Sequence, residues 1–339
     1  MVKRVSLKDI AQQLGVSVAL VSYVLNGKKT GRISKVVAEK IKAKAKELNY
    51  RTNQIARSLK TNRTNTIGFI VANIANPFTS YLARIIEDEA SKSHFTVLFG
   101  SADDNADKSQ KLIDTFITRQ VDGLIIAPGE YTAEQIVVLQ EQQIPFVLID
   151  RYFPSLQTNY VALENFEATI QAVNHLVENQ YKRIGLINYA STVYNLNERT
   201  RGYLHSMGMA GKEDTGSLIR LVKNEHIKEN IQQAIDSLLA LKEPVDAILF
   251  ASNEIALYGV IHLNKLKIKV PEQLAVITFD ELISWDLFYA PLTYIKQPLQ
   301  QMGELAMKIL LETIAGNREI KQYNLPGNLV IRESTRRGG

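Results

Sequence analysis

The chain has 339 residues, 45% of them hydrophobic and 22% charged, which is ordinary for a globular protein and long enough for two or three domains. It contains no cysteine, which excludes a disulfide framework, a thiolate zinc site and a cysteine nucleophile. No apolar run approaches the ~20 residues that span a bilayer, and the polar helix pattern after residues 1–4 does not fit a signal peptide, so we expect a cytoplasmic protein with no membrane partner.

The net charge of +5 hides a strong asymmetry along the chain. Residues 1–60 carry 14 Lys and Arg against 3 Asp and Glu, a net charge of +11, whereas the remaining residues carry 26 against 32, a net charge of −6. A basic block of domain size joined to an acidic body predicts a polyanion as the partner of the first block. A basic face that merely contacts solvent is the alternative.

The basic block contains three predicted helices. Ser6 caps the first, with Asp9 at its third position, and Gly15 ends it. Ser17 caps a second short helix, and a third helix follows a cap at Ser34. Two short helices joined by a three-residue turn with Gly are typical of a helix-turn-helix. A small helical bundle without a nucleic acid partner is the alternative.

In a helix-turn-helix, the start of the second helix reaches the base edges in the major groove. The candidate DNA contacts here are Lys8, Ser17, Val18, Ala19, Ser22, Tyr23 and Asn26. Serine bonds bases or phosphates, but Val18 and Ala19 offer only apolar contacts, for example to thymine methyl groups. We therefore expect this helix alone to discriminate poorly among DNA sequences.

A short segment at residues 53–62 joins the basic block to the acidic body. Ile55, Ala56 and Leu59 lie at helical spacing, with Lys60 beside them. Isolated helices of this length are marginal in water, so the segment is expected to be helical only when something supports it. We predict a conditional helix that contacts DNA; an ordinary linker with a buried Leu is the alternative.

The body alternates between predicted strands and helices. Apolar runs predict strands at 67–71, 95–99, 123–127, 145–149, 184–187, 247–251 and 274–279. Helical patterns lie between most of them, for example at 81–91, 108–119, 167–179 and 227–241. This alternation predicts doubly wound parallel sheets, and the likeness of residues 183–187 to residues 66–70 hints at two similar halves.

Ligands of such sheets bind beyond the carboxyl ends of the strands. Those ends lead to Asn73, Asn76, Phe78, Asp150, Arg151, Tyr189, Asn195, Arg199, Ser252, Asn253, Glu254, Asp280 and Trp285. Carboxylates, amides, a guanidinium and aromatic rings suit a polyhydroxylated ligand. Carboxylates that only cap helices are the alternative reading.

Several motifs resemble those of one family. Residues 5–11, 15–17 and 21–27 closely resemble the N-terminal domain of the lactose-repressor/galactose-repressor (LacI/GalR) family of bacterial transcription regulators, and the likeness continues in register through residues 45–50 and 53–59. Leu14, Leu20 and Tyr23 depart from its usual pattern. Tyr23 replaces a common Arg, which removes a phosphate or guanine contact. In the body, residues 76–78, 121–125, 292–295 and 331–335 carry the resemblance.

The resemblance implies an all-α helix-turn-helix DNA-binding domain at residues 1–52, a hinge helix or linker at 53–62, and an effector-binding and dimerisation domain at 63–339. The last would have the α/β fold of periplasmic sugar-binding proteins, with two doubly wound parallel-sheet subdomains. The chain is expected to cross between them near residues 162, 291 and 325, so that residues 63–162 and 292–325 form the N-subdomain and residues 163–291 and 326–339 the C-subdomain.

The resemblance also implies how such a protein works. A homodimer would bind a pseudo-palindromic operator, with a hinge helix from each subunit in the minor groove and Leu59 wedged between base pairs. Asn53, Ala56 and Lys60 would lie beside it. Effector contacts carry over to Phe78, Asp150, Arg199, Asn253 and Asp280, with Asn195 and Trp285 as further candidates. The effector would be a small polar molecule, most simply a sugar or sugar derivative, and the protein a repressor; a tetramer is not expected, because the last residues lack a heptad segment.

An enzyme on a Rossmann-like sheet is the main rival. Neither Gly-x-Gly-x-x-Gly nor a P-loop is present, and the five His residues are scattered without metal-ligand spacing. Residues 103–107 resemble the start of a calcium loop but lack its central Gly and closing Glu, so we expect a solvated loop that caps the helix at Lys108. No catalytic residue, metal or cofactor is predicted. A plain sugar-binding protein, the second rival, would not need the DNA-binding segment.

Overall fold

The computed structural model describes residues 5–26, 33–50, 63–211 and 215–336. The chain divides into two units, Met1–Thr64 and Asn65–Gly339, which are described separately. The segment predicted as a hinge, residues 53–62, lies outside the described residues. None of the helices within the described ranges is long and apolar enough to cross a membrane.

The first unit contains the three predicted helices: α1 (Leu7–Leu14), α2 (Val18–Leu25) and α3 (Lys35–Glu47). Each predicted cap is confirmed, because the serine side chains accept backbone N–H groups from Asp9, Leu20 and Val37, respectively. The helices enclose a small core of Ile10, Ala11, Val21, Val24, Ile41 and Ala45. Residues of this kind at helical spacing explain why so short a segment folds.

Gly15 makes the turn between α1 and α2. Its φ of 66° lies in the left-handed region, where side-chain residues are strained. The backbone N–H of Val16 donates to the carbonyl of Ala11 over 3.0 Å, which satisfies a carbonyl at the end of α1. The chain therefore reverses within Gly15–Ser17, as the helix-turn-helix pattern requires.

The second unit contains two six-stranded sheets. The strands of the first are β1 (Thr66–Val71), β2 (Thr96–Ser101), β3 (Gly123–Ile126), β4 (Phe146–Ile149), β5 (Tyr160–Leu163) and β11 (Gln322–Leu325). Those of the second are β6 (Ile184–Tyr189), β7 (Ile219–Val222), β8 (Ala247–Phe250), β9 (Ala275–Phe279), β10 (Thr293–Lys296) and β12 (Asn328–Val330). All pairs are parallel except β10 with β12.

Helices cover both faces of each sheet. They are α4 (Pro77–Lys92), α5 (Ala106–Thr118), α6 (Ala133–Glu141), α7 (Asn165–Glu178), α8 (Tyr194–Met209), α9 (Ile227–Leu239), α10 (Asn253–Lys265) and α11 (Leu299–Ile314). Each sheet has a separate apolar core on either face. The predicted doubly wound architecture is confirmed.

The two sheets share one strand order and differ in strand direction only at one edge, where β11 is parallel to β5 and β12 is antiparallel to β10. Their strand orders are β11-β5-β4-β3-β1-β2 and β12-β10-β9-β8-β6-β7, so β1 corresponds to β6, β4 to β9 and β5 to β10. The short sequence likeness noted above falls on the equivalent strands β1 and β6. The prediction of two similar halves is therefore confirmed, and equivalent residues are expected to occupy equivalent places beside the sheets.

The chain crosses between the halves three times. It leaves the first sheet after β5, because α7 packs on the second sheet, and it leaves the second sheet after β10, because α11 packs on the first. The predicted crossing near residue 291 is wrong. Thr293 pairs with Ile277 in the second sheet, so the crossing follows Lys296. We call the β1–β5 half, with α11 and β11, the N-subdomain, and the other half the C-subdomain.

Candidate functional sites

The candidate DNA contacts of the first unit lie on α1, α2 and the end of α2. Lys8, Ser17, Ala19 and Asn26 are exposed, Val18 exposes 44% of its surface, and Ser22 and Tyr23 are half-buried. Because its side chain is exposed, Val18 contributes little buried apolar surface to the fold, and it remains available for contact with a base methyl group. Asn53, Ala56, Leu59 and Lys60 lie outside the described residues.

Serine side chains on α2 hold their positions through local hydrogen bonds. Ser17 Oγ accepts the backbone N–H of Leu20 over 3.2 Å, which leaves its hydroxyl proton to donate elsewhere. Asn26 Nδ2 donates to the Ser22 carbonyl over 2.7 Å and to Ser22 Oγ over 3.2 Å. Both ends of α2 are thus fixed by groups that can also meet DNA acceptors or donors.

A cavity of about 620 Å³ lies in the second unit beyond the carboxyl ends of both sheets. Six of the predicted effector residues line it, namely Phe78, Asp150, Asn195, Arg199, Asn253 and Asp280. Phe78 comes from α4 and Asn195 and Arg199 from α8, while Asp150, Asn253 and Asp280 follow strand ends. The topology therefore brings these six residues to one cleft between the subdomains.

Trp285, which was predicted as a further effector contact, does not line this cleft. It is 2% exposed and packs in the core of the C-subdomain beside Leu282, Phe288 and Leu292. Its Nε1 donates to the backbone carbonyl of Asp280 over 2.9 Å. Trp285 therefore supports the turn that carries Asp280, and does not offer a ring to a ligand.

Asp150 and Asp280 occupy equivalent places in the two halves. Each is the first residue after a central strand, β4 or β9, and each has a left-handed backbone, with φ of 64° and 74°. This conformation is costly for a residue other than glycine, so a surrounding structure must hold it. Both turns direct the chain out of its sheet at the cleft, which places one carboxylate from each subdomain at the same cavity.

The two carboxyl groups resist ionisation because they are buried. Burial raises the pKa of Asp150 to about 6, and the charge of Asp280 raises it as well, against the opposing effects of Arg151 and Arg199. Burial also raises the pKa of Asp280, opposed by Arg199, by a hydrogen bond from Gln297 and by the backbone N–H of Asn253. A ligand that donates hydrogen bonds would stabilise the charged forms.

Arg199 is buried and held on three sides. Its Nε donates to Oδ1 of Asn165 over 2.8 Å, its Nη1 donates to the carbonyl of Ala251, and its guanidinium lies 3.8 Å above the ring of Phe279. These contacts fix the guanidinium in one orientation. Burial lowers the pKa of Arg199, but Asp280 and Asp150 oppose this, and the group remains a cation.

The walls of the cleft touch each other directly. Asn253 Nδ2 donates to Asn76 Oδ1 over 2.8 Å, and Asn76 Nδ2 donates to Asn253 Oδ1 over 3.2 Å. Farther along, Glu130 Oε1 accepts the hydroxyl of Ser191 and the backbone N–H of Thr192. The subdomains are therefore bridged by contacts that a bound molecule would have to accommodate.

The cleft lining also contains residues that were not predicted as effector contacts, among them Asp104, Glu130, Arg151 and Gln297. Arg151 forms an ion pair with Asp104, so the 103–107 loop also lines the cleft, while four of its five residues are exposed, as predicted for a solvated loop. The loop caps the helix as predicted, because Asn105 Oδ1 accepts the N–H of Lys108. Each of these residues follows a strand of the sheets, and Arg151 is already among the strand-end residues that the sequence indicates.

The cleft does not present a metal site among the residues that the structure describes, where no three His, Asp or Glu side chains are grouped for one. It does contain a buried acceptor, because Oε1 of Gln297 has no hydrogen-bond partner there, while its Nε2 donates to Oδ1 of Asp280 over 2.6 Å. An unpaired buried acceptor is costly unless something donates to it. Gln297 immediately follows β10 at the second crossing.

Both units of the chain match models of known protein families. The model for bacterial regulatory proteins of the lacI family matches residues 6–53, and that for a periplasmic binding protein-like domain matches residues 173–335. Catabolite control protein A of Priestia megaterium is 30% identical over 337 residues, 98% of this chain and 99% of that protein. The chain belongs to the lacI family of bacterial regulatory proteins. It is a transcriptional regulator with a helix-turn-helix domain and a periplasmic-binding-protein-like domain.

Two solved structures of DNA-binding regulators are similar to nearly the whole chain. The lac repressor dimer bound to operator and the anti-inducer ONPF has a TM-score of 0.84 at 21% identity, covering 98% of this chain and 99% of that one, which shows the shared fold. The complex of the transcriptional regulator CelR with cellobiose has a TM-score of 0.72 at 26% identity, covering 98% and 100%.

Proposed function

We propose that this LacI-family regulator is a repressor that binds a pseudo-palindromic operator as a homodimer, and that a sugar or sugar derivative in the cleft controls its operator affinity. One observation carries the proposal. Asp150 and Asp280 reach a single cavity from equivalent strand ends of the two subdomains, with Arg199 beside them. A small molecule held by both carboxylates would contact both subdomains at once.

The chemistry of the cleft suits a polyhydroxylated ligand. The carboxylates of Asp150 and Asp280 accept hydroxyl protons, the guanidinium of Arg199 donates, and Phe78 supplies an apolar face. The amides of Asn195 and Asn253 can do either. The CelR relative, which is similar over its whole length, was solved with cellobiose, and this supports a carbohydrate as the class of effector.

A ligand between the subdomains can control DNA binding through linkage. A molecule that favours one arrangement of the two halves shifts the population toward it, and it changes operator affinity only if DNA distinguishes the arrangements. By reciprocity, the operator must change ligand affinity by the same factor. We propose that the 53–62 segment transmits the change, since a helix of that length needs support from its neighbours.

At the DNA end, we propose two contributions to specificity. The start of α2, with Ser17, Val18 and Ala19, reads the major groove, and Leu59 opens a base step in the minor groove. An apolar wedge costs a few kcal/mol of stacking and favours steps that deform easily. Replacing Leu59 by Ala should therefore weaken operator binding much more than binding to random DNA of equal length. An equal loss on both DNAs would contradict the wedge.

Exposed apolar residues support the proposed homodimer. Helix α10 exposes Leu257 and Ile261, four residues apart on one face, and Ile283 and Leu287 are 78% and 87% exposed. Large exposed apolar side chains of this kind are typical of surfaces that another protein covers. The lac repressor, whose fold this chain shares, is a dimer on its operator. We propose that a second copy of this chain covers these residues, in the cytoplasm of a bacterium.

Calorimetry with a panel of neutral sugars and nucleosides tests the cleft assignment. At least one should bind the wild-type protein, and the Arg199→Ala, Asp280→Ala double variant should not bind it. The double variant removes one positive and one negative charge, so the cleft keeps its charge balance. Unaltered binding in that variant would remove the site assignment while leaving the DNA-binding role intact.

A further inference from the structure

Several helices begin at the cleft, and helix starts attract anions because their first N–H groups lack partners within the helix. Here the chain supplies its own acceptors at these starts. Asn76 Oδ1 accepts the N–H of Phe78 over 3.0 Å in α4, and Asn105 Oδ1 accepts that of Lys108 over 2.8 Å in α5. Ser252 Oγ accepts the N–H of Ile255 over 3.3 Å in α10. One N–H group in the first turn of each of these helices is therefore already satisfied.

Carboxylate groups of the protein itself lie at the starts of two helices, α8 and α10. Glu130, from the N-subdomain, accepts the N–H of Thr192 just before α8, and Ser191 Oγ accepts the N–H of Val193 over 3.1 Å. At α10, the N–H of Asn253 faces the carboxylate of Asp280 closely enough to lower its pKa. A carboxylate thus occupies the place that a ligand phosphate or carboxylate would need at each helix.

Two of the cations of the cleft already contact polar groups of the protein. Among the described residues that line it, the basic side chains are Arg151, Arg199 and Lys223. Arg151 forms an ion pair with Asp104, while its Nε lies 3.8 Å from Asp150 and is a buried donor without a hydrogen-bond partner among the described residues. Arg199 is held by Asn165 and the carbonyl of Ala251, and Lys223 is exposed at the surface. The acidic side chains in the same lining are Asp103, Asp104, Glu130, Asp150, Glu225, Glu254 and Asp280.

We propose that the cleft binds a polyol without any anionic group and discriminates strongly against the phosphate or carboxylate form of the same sugar. The inference rests on the proposed function, since it names the class of sugar that the cleft takes. An anionic ligand would have to displace Glu130 or Asp280 from a helix start, or lie beside two buried carboxylates. Like charges in a buried site repel strongly and are not repaid by solvent.

A neutral polyol meets none of these costs. Its hydroxyl groups donate to the carboxylates of Asp150 and Asp280 and to the buried Oε1 of Gln297, which has no donor among the described residues. An amino sugar would do the same with a charge-assisted hydrogen bond. The excess of acceptors over donors therefore selects hydroxyl or ammonium groups, and the committed helix starts exclude anions.

Matched pairs of sugars test the proposal on the full chain by calorimetry: glucose against glucose 6-phosphate, ribose against ribose 5-phosphate, and glucosamine beside glucose. Any sugar that binds should do so at least about tenfold more tightly than its phosphate ester, a difference of about 1.4 kcal/mol. A phosphate ester that binds as tightly as its parent, and whose binding the Arg199→Ala, Asp280→Ala variant removes, would overturn the proposal.

The Glu130→Gln variant tests whether the carboxylate at the start of α8, rather than the overall negative charge of the protein, disfavours an anionic ligand. This variant should narrow the difference between sugar and ester, because the start of α8 loses its carboxylate. Glu243→Gln, at an exposed residue that pairs with Arg183 over 3.4 Å, removes the same charge outside the cleft and should leave the difference unchanged. Equal effects of the two substitutions would contradict the assignment of Glu130.

Inorganic phosphate provides a readout that needs no known effector. At millimolar concentration it should not raise the melting temperature of the wild-type protein, but it should raise that of Glu130→Gln. Stabilisation of the wild type that Arg151→Gln abolishes would overturn the exclusion. If no sugar, neutral or charged, alters operator affinity while phosphate still fails to bind, the proposed sugar effector fails and the exclusion of anions stands.

Discussion

Asn76 and Asn253 face each other across the cleft and exchange two hydrogen bonds, of 2.8 and 3.2 Å, between their side-chain amides. Asn76 comes from the N-subdomain, where its Oδ1 also caps α4, and Asn253 is the first residue of α10 in the C-subdomain. These hydrogen bonds use the side-chain amide of Asn253, which we propose as an effector contact. A ligand that takes over either of these hydrogen bonds of Asn253 therefore breaks a bridge between the subdomains.

Replacing Asn76 by Ala should open the ligand-free protein. The variant loses both amide hydrogen bonds, each typically contributing about 1 kcal/mol, so the open arrangement becomes more populated. Small-angle scattering should show a larger radius of gyration, and effector affinity should change, because the bridge no longer competes for Asn253.

Asn105→Ala is the matched control for that change. Asn105 caps α5 as Asn76 caps α4, and both lie in the N-subdomain, but no hydrogen bond from the described residues of the C-subdomain reaches Asn105. Both variants should lose about 1 kcal/mol of stability with the cap, and only Asn76→Ala also loses the two amide hydrogen bonds between the subdomains. Identical scattering curves for the two would show that the amide pair does not hold the subdomains together.

Asp150→Asn should stabilise the ligand-free protein above about pH 6. Folding raises the pKa of Asp150 from 3.8 to about 6, so its contribution to stability is present below the unfolded value and is lost as the pH rises through the folded value. An amide resembles the protonated group and avoids that loss. The expected gain at pH 8 is on the order of 1–3 kcal/mol, shrinking toward pH 4, as measured by urea unfolding.

Asp103→Asn should show the opposite sign. Hydrogen bonds from Lys108 and Ser101 hold the pKa of Asp103 below its usual value, so its carboxylate stabilises the fold at neutral pH and the amide should not.

A gain in stability from Asp150→Asn that is the same at every pH would indicate better packing of the amide, and would contradict the titration of the Asp150 carboxyl group.

Ser17→Ala and Ser34→Ala should separate DNA contact from helix capping. Both serines accept the N–H of the third residue of their helix, so each substitution should cost about 1 kcal/mol of stability in the first unit. Only Ser17 is proposed to donate its hydroxyl to DNA. Operator affinity, measured at one salt concentration, should fall more for Ser17→Ala; equal losses would assign Ser17 a capping role alone.

The strands that the sequence revealed are mostly those buried on both faces. Residues 67–71 and 274–279 form continuous apolar runs because helices cover both sides of a parallel sheet. Strands β5, β7, β10, β11 and β12 were not predicted. Arg220, Gln322 and Asn324 interrupt β7 and β11 at the sheet edges, and the other three have only three or four residues each. The crossing near residue 291 was misplaced because a four-residue strand gives no sign of which sheet it joins.

Some cleft residues could be predicted from the sequence and others could not, again for physical reasons. Asp150 and Asp280 were predicted because a carboxylate directly after an apolar strand has few places to go other than the sheet's carboxyl edge. Trp285 follows the same rule and is buried instead, because the apolar residues of the following turn enclose it. The ion pair of Asp104 with Arg151 spans 47 positions, and no local pattern in the sequence predicts such a contact.

The most direct test of the account is the operator affinity of the wild-type protein and of the Arg199→Ala, Asp280→Ala variant, with and without each sugar of the neutral panel. Fluorescence anisotropy of a labelled operator duplex at fixed salt measures it. At least one sugar should change the wild-type affinity by a factor of about 5–150, whereas the variant should bind the operator as the sugar-free wild type does and should not respond. A variant that responds to the same sugar as fully as the wild type would contradict control from this cleft.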